Sequence, residues 1–426
     1  MYLVKPSTLQ GEIQIPPSKS HSLRAILFGA LGSGKTTVHN FLPSPDIAAM
    51  IQACCSLGCI IKCNENSLEI EGLSGKIQGA EDVIYAGNSG IVLRFIAAIA
   101  ALGTEPILIT GDASIRHQRP MQPLLDALKQ LNVQARATRN NGYAPLIIEG
   151  PLTNGFTRLF GEDSQHVSSL LIAASQAPGP FEIEVLNPGE KPWVAMTLDW
   201  LTRLGIPYEN ADFNRFWIKG NHRYSGFSYT VPGDLSSLAF PVVAALVTQS
   251  EILVQHVDML DCQGDKKLVE ILKEMGAQID EDTAAKTLKI HKGNRLKGIV
   301  VDMNDCVDAI PILAVAACYA EGTTFLRNVE IARFKECDRL ACTVKELRKM
   351  GALIEELPDG LKIEGGLLQG ANVFSHHDHR MAMSLVVAGL GAKGETLVQA
   401  TECISKTFST FQTDFAKLGA LIEIQT

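Results

Sequence analysis

Long apolar runs are missing from this sequence. No stretch approaches the ~18 consecutive apolar residues that a membrane-spanning helix needs. The longest apolar phrases, FPVVAALV at 240–247 and LRFIAAIAAL at 93–102, have the length of buried helices. The first residues also lack the basic start, apolar run and cleavage site of a secretory leader. These absences argue against a membrane-spanning or exported protein and favour a cytoplasmic location.

Positive charge and aromatic residues are also scarce. Lys and Arg total 38 against 46 Asp and Glu, which gives a net charge of −8, and aromatic residues make up 6% of the chain. A negative chain is a poor general nucleic-acid binder, because phosphate backbones attract basic surfaces, although a local basic pocket remains compatible with it. With 426 residues and 46% hydrophobic content, the chain is long enough for two domains with separate cores.

The ten cysteines lack the spacing of a disulfide framework or of a zinc site. Four of them crowd into CCSLGCIIKC at 54–63, which has no paired C-x-x-C spacing and is interpreted as a set of small buried thiols. A second cluster, HHDHR at 376–380, contains three histidines, but Arg380 would repel a bound cation. We therefore predict no metal at either cluster and a reducing compartment.

One short phrase recurs along the whole chain. It is a helix tail followed by an apolar residue, Gly or Asn, and another apolar residue, and it returns every 68 to 75 residues. Gly and Asn most easily adopt the left-handed conformation that ends a helix. The six copies are centred on Gly58, Asn132, Gly205, Gly276, Gly351 and Gly419. The regular interval predicts six structural repeats.

A second recurring phrase accounts for a nucleotide-binding motif near the N-terminus. GALGSGKT at 29–36 matches the phosphate-loop pattern G-x-x-x-x-G-K-[ST]. A phosphate loop follows a strand and opens a helix, whereas here helical spacing precedes the motif and strand character follows it. Gly34 to Thr36 occupy the same place in their repeat as Gly322 to Thr324 in another. We therefore predict a turn from a helix into a strand, and no bound nucleotide.

Helix and strand signals follow the order β-α-β-α-β-β in each repeat. The predicted fold class is therefore α/β, and the regular period argues against one continuous doubly wound sheet. Six units group naturally as three repeats in each of two similar domains.

Polar residues collect where the predicted helices begin. Helix N-termini present unpaired N–H groups, so capping explains one set of these residues. That set comprises Ser20, Ser164, Asp234, Asp308 and Asp378. Capping does not explain the cations, because each opposes the helix dipole at a cost of about 0.3–1 kcal/mol. These cations are Lys19, Arg119, Lys335, Arg339, Arg380 and Lys406. Their number predicts an anionic ligand, with salt-bridged surface charges as the alternative.

The spacing of two pairs supports a ligand with several anionic groups. Ser20 and Arg24 are four residues apart and so lie on one helix face. Lys335 and Arg339 have the same spacing, with Glu336 beside them. Arginine suits bidentate contacts to carboxylate or phosphate, while lysine suits a point charge or proton transfer.

Ten phrases together resemble one known family along nearly the whole chain. In chain order they are PPSKSHSLRA, GNSG with a following Arg, RP at 119–120, DSQ, PGDLSS, QGD at 263–265, DA at 308–309, RFKECDRL, DHRMAM and SKTF. No single phrase is specific, but their order and intervals are. On these phrases the chain resembles the 5-enolpyruvylshikimate-3-phosphate (EPSP) synthases.

This resemblance implies an inside-out α/β barrel of the enolpyruvyl transferase type, with three βαβαββ repeats in each domain. One domain is expected to comprise residues 1–14 and 234–426 and the other residues 15–233, with hinges near 15 and 233 for domain closure. The resemblance also implies a monomer that transfers the enolpyruvyl group of phosphoenolpyruvate to the 5-hydroxyl of shikimate 3-phosphate and releases phosphate. This step of aromatic amino acid biosynthesis is an addition followed by an elimination, without a covalent nucleophile, cofactor or metal.

The resemblance further assigns roles to residues of this chain. Asp308 is expected to act as the base toward the 5-hydroxyl, and Glu336 and Lys19 are candidates for proton transfer at the pyruvyl carbon. The residues expected to bind phosphoenolpyruvate are Lys19, Gly90, Arg119, Arg339, Arg380 and Lys406. The residues expected to bind shikimate 3-phosphate are Lys19, Ser20, Arg24, Ser164, Gln165, Asp308 and Lys335.

Two positions depart from the family pattern. Asp163 and Glu190 stand where the family usually has serines that bind the shikimate phosphate. A carboxylate ~4 Å from a phosphate costs on the order of 1–4 kcal/mol, so either nearby cations compensate or the acceptor is a different molecule. An enolpyruvyl transferase with another acceptor is therefore the alternative. A UDP-amino sugar is one such acceptor, but the loop 111–120 lacks the cysteine of that branch. A binding protein without activity is disfavoured, because acid, base and cations are all present.

Overall fold

The structure is a computed structural model that describes residues 1–293 and 295–425. The chain forms two compact units, of which unit 1 comprises Met1–Pro16 with Pro232–Thr426 and unit 2 comprises Pro17–Val231. Unit 2 is thus one continuous segment, whereas unit 1 combines both ends of the chain. Within the described ranges, no helix has the length and apolar character that crossing a membrane requires.

Strands and helices alternate along the chain. The strands are β1 Tyr2–Lys5, β2 Gln10–Gln14, β3 Ser33–His39, β4 Ile60–Cys63, β5 Ser67–Leu73, β6 Ile84–Tyr85, β7 Ile107–Thr110, β8 Gln134–Ala137, β9 Leu146–Glu149, β10 Gly155–Phe160, β11 Phe181–Leu186, β12 Tyr208–Ala211, β13 Arg215–Ile218, β14 Ser228–Thr230, β15 Glu251–Gln255, β16 Ile279–Asp282, β17 Thr287–Ile290, β18 Val300–Asp302, β19 Thr323–Arg327, β20 Leu353–Leu357, β21 Gly360–Glu364, β22 Asn372–Phe374, β23 Thr396–Gln399 and β24 Leu421–Ile424. The α-helices are α1 Lys19–Leu31, α2 Pro45–Ser56, α3 Gly90–Ala100, α4 Ala113–His117, α5 Gln122–Gln130, α6 Ser164–Gln176, α7 Lys191–Arg203, α8 Leu235–Val247, α9 Lys267–Glu274, α10 Ile310–Cys318, α11 Arg339–Lys349, α12 His379–Gly391 and α13 Phe411–Lys417. Short 3-10 turns cover Gly264–Lys266, Asn304–Ala309, Glu330–Phe334 and Thr401–Lys406.

The strands form six four-stranded sheets with one common topology. The strand orders are β14-β3-β5-β4, β6-β7-β9-β8 and β10-β11-β13-β12 in unit 2, and β2-β15-β17-β16, β18-β19-β21-β20 and β22-β23-β1-β24 in unit 1. In each sheet the first two strands are parallel and the other neighbours are antiparallel. The predicted α/β fold of six βαβαββ repeats is confirmed.

Three of the sheets are completed by a strand from a distant part of the chain. β14 follows the third repeat but pairs with β3, so that Ser228 lies opposite Thr37. β2 pairs with β15, which follows it by more than 200 residues, and β1 lies between β23 and β24. Val4 on β1 is fully buried. Each unit therefore has complete sheets only when these distant strands pair with the rest of their sheet.

One helix of each repeat is buried on all sides. These helices are α1, α3 and α6 in unit 2 and α8, α10 and α12 in unit 1. Every residue of α3, α8 and α10 is buried, while strands such as β11 alternate buried and partly exposed residues. A helix without a polar face belongs in a core, so the helices lie inside each unit and the sheets outside. In α1 the structure buries every residue from His21 to Leu31.

The six predicted helix ends adopt the left-handed conformation. Their φ angles are +100° at Gly58, +64° at Asn132, +68° at Gly205, +104° at Gly276, +84° at Gly351 and +96° at Gly419. Gly avoids the Cβ clash of this conformation, and Asn tolerates it best among the other residues. The repeat prediction from these positions is confirmed.

The segment that matches a phosphate loop forms a helix end and a strand. Gly29 lies inside α1, and Lys35 lies on the exposed side of β3. The Nζ of Lys35 is 2.9 Å from Glu69 Oε2 on the neighbouring strand. The predicted turn from a helix into a strand is confirmed, because β3 follows α1 directly and no helix opens at the lysine as a phosphate loop requires.

Candidate active site

The site residues of unit 1 lie at helix starts and in short turns. Arg339 is the first residue of α11, and Arg380 is the second residue of α12. Lys406 ends one 3-10 turn, and Asp308 lies in another turn that leads into α10. These four positions bring their side chains into one hydrogen-bonded network.

Arg339 is the centre of this network and is 1% exposed. Its Nε donates to Asp378 Oδ2 at 2.8 Å, and its Nη1 donates to Asp308 Oδ1 at 2.6 Å. Its Nη2 donates to Glu336 Oε2 at 2.9 Å. Burial opposes the guanidinium charge, but Asp378, followed by Asp308 and Glu336, outweighs it and keeps the pKa of Arg339 well above its usual value. The guanidinium therefore fixes both predicted catalytic carboxylates of this unit.

Asp308 bridges two arginines. Besides its contact with Arg339, its Oδ2 lies 2.8 Å from Arg380 Nη2. Burial disfavours the charged form, but Arg380, Arg339 and Lys335 hold the pKa of Asp308 well below its usual range. The side chain is still 23% exposed. Asp308 is therefore an ionised carboxylate that a ligand can reach.

Glu336 is held by two cations. Lys406 Nζ donates to Glu336 Oε1 at 2.8 Å, while Arg339 occupies Oε2. Cations on both oxygens favour the ionised carboxylate. Lys406, Glu336, Arg339, Asp308 and Arg380 thus form a chain of alternating charges.

Asp265 is a buried carboxyl group that the sequence did not single out as a site residue. It is 1% exposed, and neither of its oxygens has a hydrogen-bond donor among the described residues. The adjacent Ser236 hydroxyl donates to Asp234 Oδ1 at 2.7 Å. Burial and the negative charge of Asp308 raise the pKa of Asp265 to about 8, against the opposing effect of Arg380. Asp265 is therefore protonated at neutral pH, while Asp308 beside it is ionised.

In unit 2, the starts of three helices meet at Asp46. Lys19, the first residue of α1, places its Nζ 3.4 Å from Asp46 Oδ2. The same carboxylate oxygen accepts a hydrogen bond of 3.0 Å from Ser89, which is the N-cap of α3. The lysine side chain remains 15% exposed, so Asp46 positions its ammonium group without burying it completely.

Gly90 permits three polar side chains to approach the start of α3. A Cβ at this position would lie 2.7 Å from Arg94 Nη1, 3.5 Å from Gln165 Oε1 and 3.7 Å from Arg119 Nη1. Arg94 Nη1 also donates to Gln165 Oε1 at 3.0 Å. Any larger residue would therefore displace Arg94. The structure brings Gly90, Arg119 and Gln165 together, and it adds Arg94, which the sequence analysis missed as a site residue.

Asp163 and Glu190 are buried and are bonded within unit 2. Asp163 Oδ2 lies 2.8 Å from Arg94 Nη2, and its Oδ1 caps α6 by accepting from the Gln165 backbone N–H. Glu190 Oε2 accepts from the Ser164 backbone N–H at 3.2 Å and from the Ser164 hydroxyl at 3.1 Å. Arg94 and the N-terminus of α6 therefore compensate the negative charges of Asp163 and Glu190, the two residues that depart from the family pattern.

Arg24 ties α1 to two neighbouring helices. Its Nε donates to Thr197 Oγ1 at 3.1 Å, and its Nη2 donates to the Trp193 carbonyl at 3.2 Å. Its Nη1 donates to the Ser20 carbonyl at 3.3 Å, and its guanidinium lies 5.3 Å from the centre of the Phe95 ring. Arg24 therefore contributes to packing whether or not it contacts a ligand.

The structure corrects several predicted helix caps. Asp234 and Asp378 are N-caps as predicted. Ser20 and Ser164 instead lie inside the first turns of α1 and α6, because an earlier residue has the extended backbone that a cap requires. Asp308 lies inside a 3-10 turn and does not cap α10.

The spacing of Lys335 and Arg339 does not reflect a shared helix face. α11 begins at Arg339, and Lys335 has an extended backbone with φ −87° and ψ −150°. Lys335 is nevertheless buried and close enough to Asp308 to lower the pKa of that carboxyl group. The loop before the helix, and not helical periodicity, therefore brings these residues together.

One group in unit 1 has the composition of a metal site. Glu336, Asp378 and His379 each place one ligand-type atom within 4.8 Å of the others. Arg339 already donates to both carboxylates, so its positive charge occupies the place that a metal ion would need. We assign no metal to this group.

The fold and this charged network define a class of protein, the α/β enzymes with six βαβαββ repeats. Two solved structures of EPSP synthase from Acinetobacter baumannii resemble the chain over 100% of its length. Their TM-scores are 0.84 and 0.83, each is 28% identical in sequence, and the match covers 99% and 100% of the solved chains.

Sequence comparisons identify the family. The family model of EPSP synthase (3-phosphoshikimate 1-carboxyvinyltransferase) matches residues 3–415. A 3-phosphoshikimate 1-carboxyvinyltransferase of Chlamydia caviae is 43% identical over 412 residues, which cover 96% of this chain and 92% of the relative. One from Acetivibrio thermocellus is 43% identical over 417 residues and 98% of each chain. The chain belongs to the EPSP synthase family.

Proposed function

We propose that the chain transfers the enolpyruvyl group of phosphoenolpyruvate to the 5-hydroxyl of shikimate 3-phosphate and releases phosphate. The observation that carries this proposal is the network in which Arg339 holds Asp308 and Glu336, with Arg380 and Lys406 at its ends. It combines the partly exposed carboxylate of Asp308 with cations that suit an anionic substrate.

The proposed reaction needs two proton transfers in each half. In the addition, Asp308 takes the proton of the 5-hydroxyl, and the oxygen bonds to C2 of phosphoenolpyruvate while C3 receives a proton from Glu336 or Lys19. In the elimination, the bond from C2 to the phosphate oxygen breaks, the leaving phosphate takes the proton that Asp308 had accepted, and Glu336 or Lys19 takes a proton back from the new methyl group. The product is an enol ether and free phosphate. Groups that transfer protons in this way typically contribute 10²–10⁴-fold each.

Substrate binding supplies a reason why Asp308 can act as a base. In the ligand-free chain Arg380 and Arg339 hold its pKa low, which makes it a weak base. We propose that phosphoenolpyruvate, which carries a carboxylate and a phosphate, binds Arg339, Arg380 and Lys406 in unit 1. Its negative charge then offsets these cations and raises the pKa of Asp308 toward a useful value.

We assign the remaining substrate contacts by the same chemistry. In unit 2, Lys19, Arg119 and the backbone at Gly90 are proposed to contact phosphoenolpyruvate. The groups proposed to contact shikimate 3-phosphate are Lys19, Ser20, Arg24, Ser164, Gln165, Asp308 and Lys335. Hydroxyl and cationic donors of this kind suit the hydroxyls and phosphate of that substrate.

The main reason for considering an acceptor other than shikimate 3-phosphate no longer holds. It depended on Asp163 and Glu190, and both carboxylates have partners within unit 2 that compensate their charge. The curated relatives are named for 3-phosphoshikimate, and none of the names reported above supports another acceptor.

We also infer that the enzyme works in the cytoplasm as a monomer. All ten cysteines are free thiols, and several are exposed or partly exposed, which suits a reducing compartment. Light scattering on the purified chain tests the monomer, because a dimer would double the measured mass.

The decisive test of the proposed function is an Asp308→Ala variant. We expect turnover, measured as phosphate release from phosphoenolpyruvate in the presence of shikimate 3-phosphate, to fall at least ~10²-fold because the base is lost. Asp305→Ala, which removes an exposed carboxylate from the same turn, is the matched control and should keep parental turnover. Near-parental turnover of Asp308→Ala would remove this residue from the mechanism, and no phosphate release by the parent would refute the proposed reaction.

A further inference from the structure

One face of α11 contacts the chain segment that leads into α12. Arg339, Thr343 and Glu346 are spaced i, i+4 and i+7, so they share a helix face, and all three are buried. Arg339 donates to Asp378, as described above, and the Thr343 hydroxyl donates to Met381 Sδ at 3.3 Å. The arginine of the charged network and a fully buried carboxylate, Glu346, therefore lie two turns apart on the same face.

Glu346 binds the segment 374–378, which precedes α12, at two points. Its Oε2 accepts from the Phe374 backbone N–H at 3.0 Å and from Lys349 Nζ at 2.6 Å, and its Oε1 lies 2.9 Å from His376 Nε2. Burial opposes the charge of Glu346, but Lys349, the Phe374 N–H and His376 outweigh it and lower the pKa of this carboxyl group. Because an ionised carboxylate only accepts hydrogen bonds, His376 Nε2 is the donor.

The backbone of this segment depends on such contacts. His376 and His377 both have left-handed backbones, with φ of +55° and +58°. Two successive residues other than glycine in this conformation persist only where their surroundings hold them. Ser375 adds a further contact, since its hydroxyl accepts from the His377 N–H at 3.1 Å and donates to the Ala400 carbonyl at 2.8 Å. The position of the next residue, Asp378, therefore follows from how the segment is held.

Asp378 transmits this position to the charged network. Its Oδ2 accepts from Arg339 Nε at 2.8 Å, and its Oδ1 accepts from the Arg380 backbone N–H at 2.8 Å. Arg339 in turn donates to Asp308 and Glu336. A shift of the segment would move the Asp378 carboxylate and so change the orientation of the Arg339 guanidinium.

We propose that Glu346 and His376 are positioning residues for Arg339. The hydrogen bond between them holds the segment 374–378, and the segment places Asp378 so that the Arg339 guanidinium has the orientation that phosphoenolpyruvate binding requires. Neither residue is among the proposed substrate contacts, so both act through Asp378. The effect on phosphoenolpyruvate rests on the proposed function, whereas the anchoring of the segment does not, and the two are therefore measured separately.

Two neighbouring histidines provide matched variants, His376→Ala and His377→Ala. Both residues have a left-handed backbone, and both rings pack edge-on against Phe374, with ring centres 5.1 and 5.3 Å away. His376 is the one of the two whose ring contacts Glu346 in the described part of the chain. A third variant, His376→Gln, restores an amide N–H of similar reach. Loss of the ring and loss of the hydrogen bond to Glu346 can thus be separated.

Steady-state phosphate release measures the effect on the substrate. In His376→Ala we expect the KM for phosphoenolpyruvate to rise at least ~5-fold, while the KM for shikimate 3-phosphate stays within ~2-fold of the parent. His377→Ala should keep the parental values, and His376→Gln should recover most of the loss. Parental KM values in His376→Ala, or the same rise in His377→Ala, would overturn the proposal. An equal rise of both KM values would also overturn it, because it would indicate a general structural defect.

Hydrogen exchange of the ligand-free chain, followed by mass spectrometry, measures the anchoring without any turnover. The backbone N–H groups of Arg380 and Met381 donate to Asp378. We expect the peptide that contains them to exchange at least ~10-fold faster in His376→Ala, but not in His377→Ala or His376→Gln. Parental exchange in His376→Ala would refute the route through Asp378. Faster exchange in a chain whose parent releases no phosphate would support the anchoring and refute only the proposed reaction.

Discussion

Asp265 and Asp308 are neighbouring carboxyl groups that carry different charges at neutral pH. Asp308 has two arginines on its oxygens and is ionised. Asp265 has no hydrogen-bond donor among the described residues, and burial keeps its proton in place. At the scale of the residue, the immediate partners therefore decide the protonation state, and the residue type does not.

The protonated state of Asp265 predicts a particular dependence of stability on pH. Its pKa is about 8 in the folded chain against an ordinary 3.8, so the folded state keeps a proton that the unfolded state loses. This group therefore stabilises the fold fully below about pH 4, and its contribution is lost as the pH rises toward 8. Asp265→Asn preserves the shape of the protonated acid and removes the titration. We expect the fall in the free energy of unfolding between pH 5 and pH 8 to be smaller in this variant than in the parent.

Urea-induced unfolding at the two pH values, followed by circular dichroism, measures this difference. Asp305→Asn is the control, because it removes an exposed carboxyl group from a nearby turn. It should show the pH dependence of the parent. The same slope in Asp265→Asn and the parent would mean that Asp265 is ionised in the folded chain.

At the scale of the element, the feature that recurs in all six repeats is a helix end with a left-handed residue. Five of the six positions are Gly, and Asn132 is the exception, with φ of +64° and an exposed side chain. Because Asn132 packs against little, its substitution tests the backbone requirement alone.

We expect Asn132→Ala to lower the free energy of unfolding by about 1 kcal/mol, because the Cβ of alanine clashes in the left-handed conformation and alanine lacks the local hydrogen bonding of Asn. Asn132→Gly restores the residue of the other five repeats and should be at least as stable as the parent. Urea unfolding of the three chains measures the effect. An alanine variant as stable as the glycine variant would contradict the backbone explanation.

At the scale of the whole molecule, the N-terminal segment is part of the architecture. β1 lies inside a sheet, between β23 and β24, and is bonded along both edges. Removing it leaves β24 without a partner and β23 paired with β22 alone, and it exposes the core at Val4, which is fully buried. The N-terminus is therefore not an expendable tail.

Deletion of residues 1–5 should abolish the cooperative thermal unfolding of unit 1, monitored by circular dichroism and calorimetry. Lys5→Ala is the control, since it removes only partly exposed ion pairs with Glu395 and Glu423 and should shift the transition by little. A deleted chain with the parental transition would show that β1 adds nothing to stability.

Part of this molecule could be predicted from local patterns. The helix ends at Gly58 and its five counterparts have a steric cause that acts within a few residues, so their spacing revealed the six repeats. The turn from α1 into β3 was predictable for the same reason, because periodicity changes at Gly34. The motifs around Asp308 and Arg339 indicated the family. The predicted hinges near 15 and 233, the domain closure and the role of each site residue stay predictions.

Local sequence patterns could not predict contacts between residues that are far apart in the sequence. The caps at Ser20 and Ser164 were wrong because an earlier residue had the required backbone, and the partner of Asp163 proved to be Arg94, about 70 residues away. The positions of β1, β2 and β14 depend on chain segments that return from hundreds of residues away. By itself the sequence determined the repeat, the helix ends and the family, since each rests on contacts between near neighbours or on ordered motifs. Only the tertiary structure decided which charges meet and which carboxyl group keeps its proton, because burial and pairing arise when distant segments pack together.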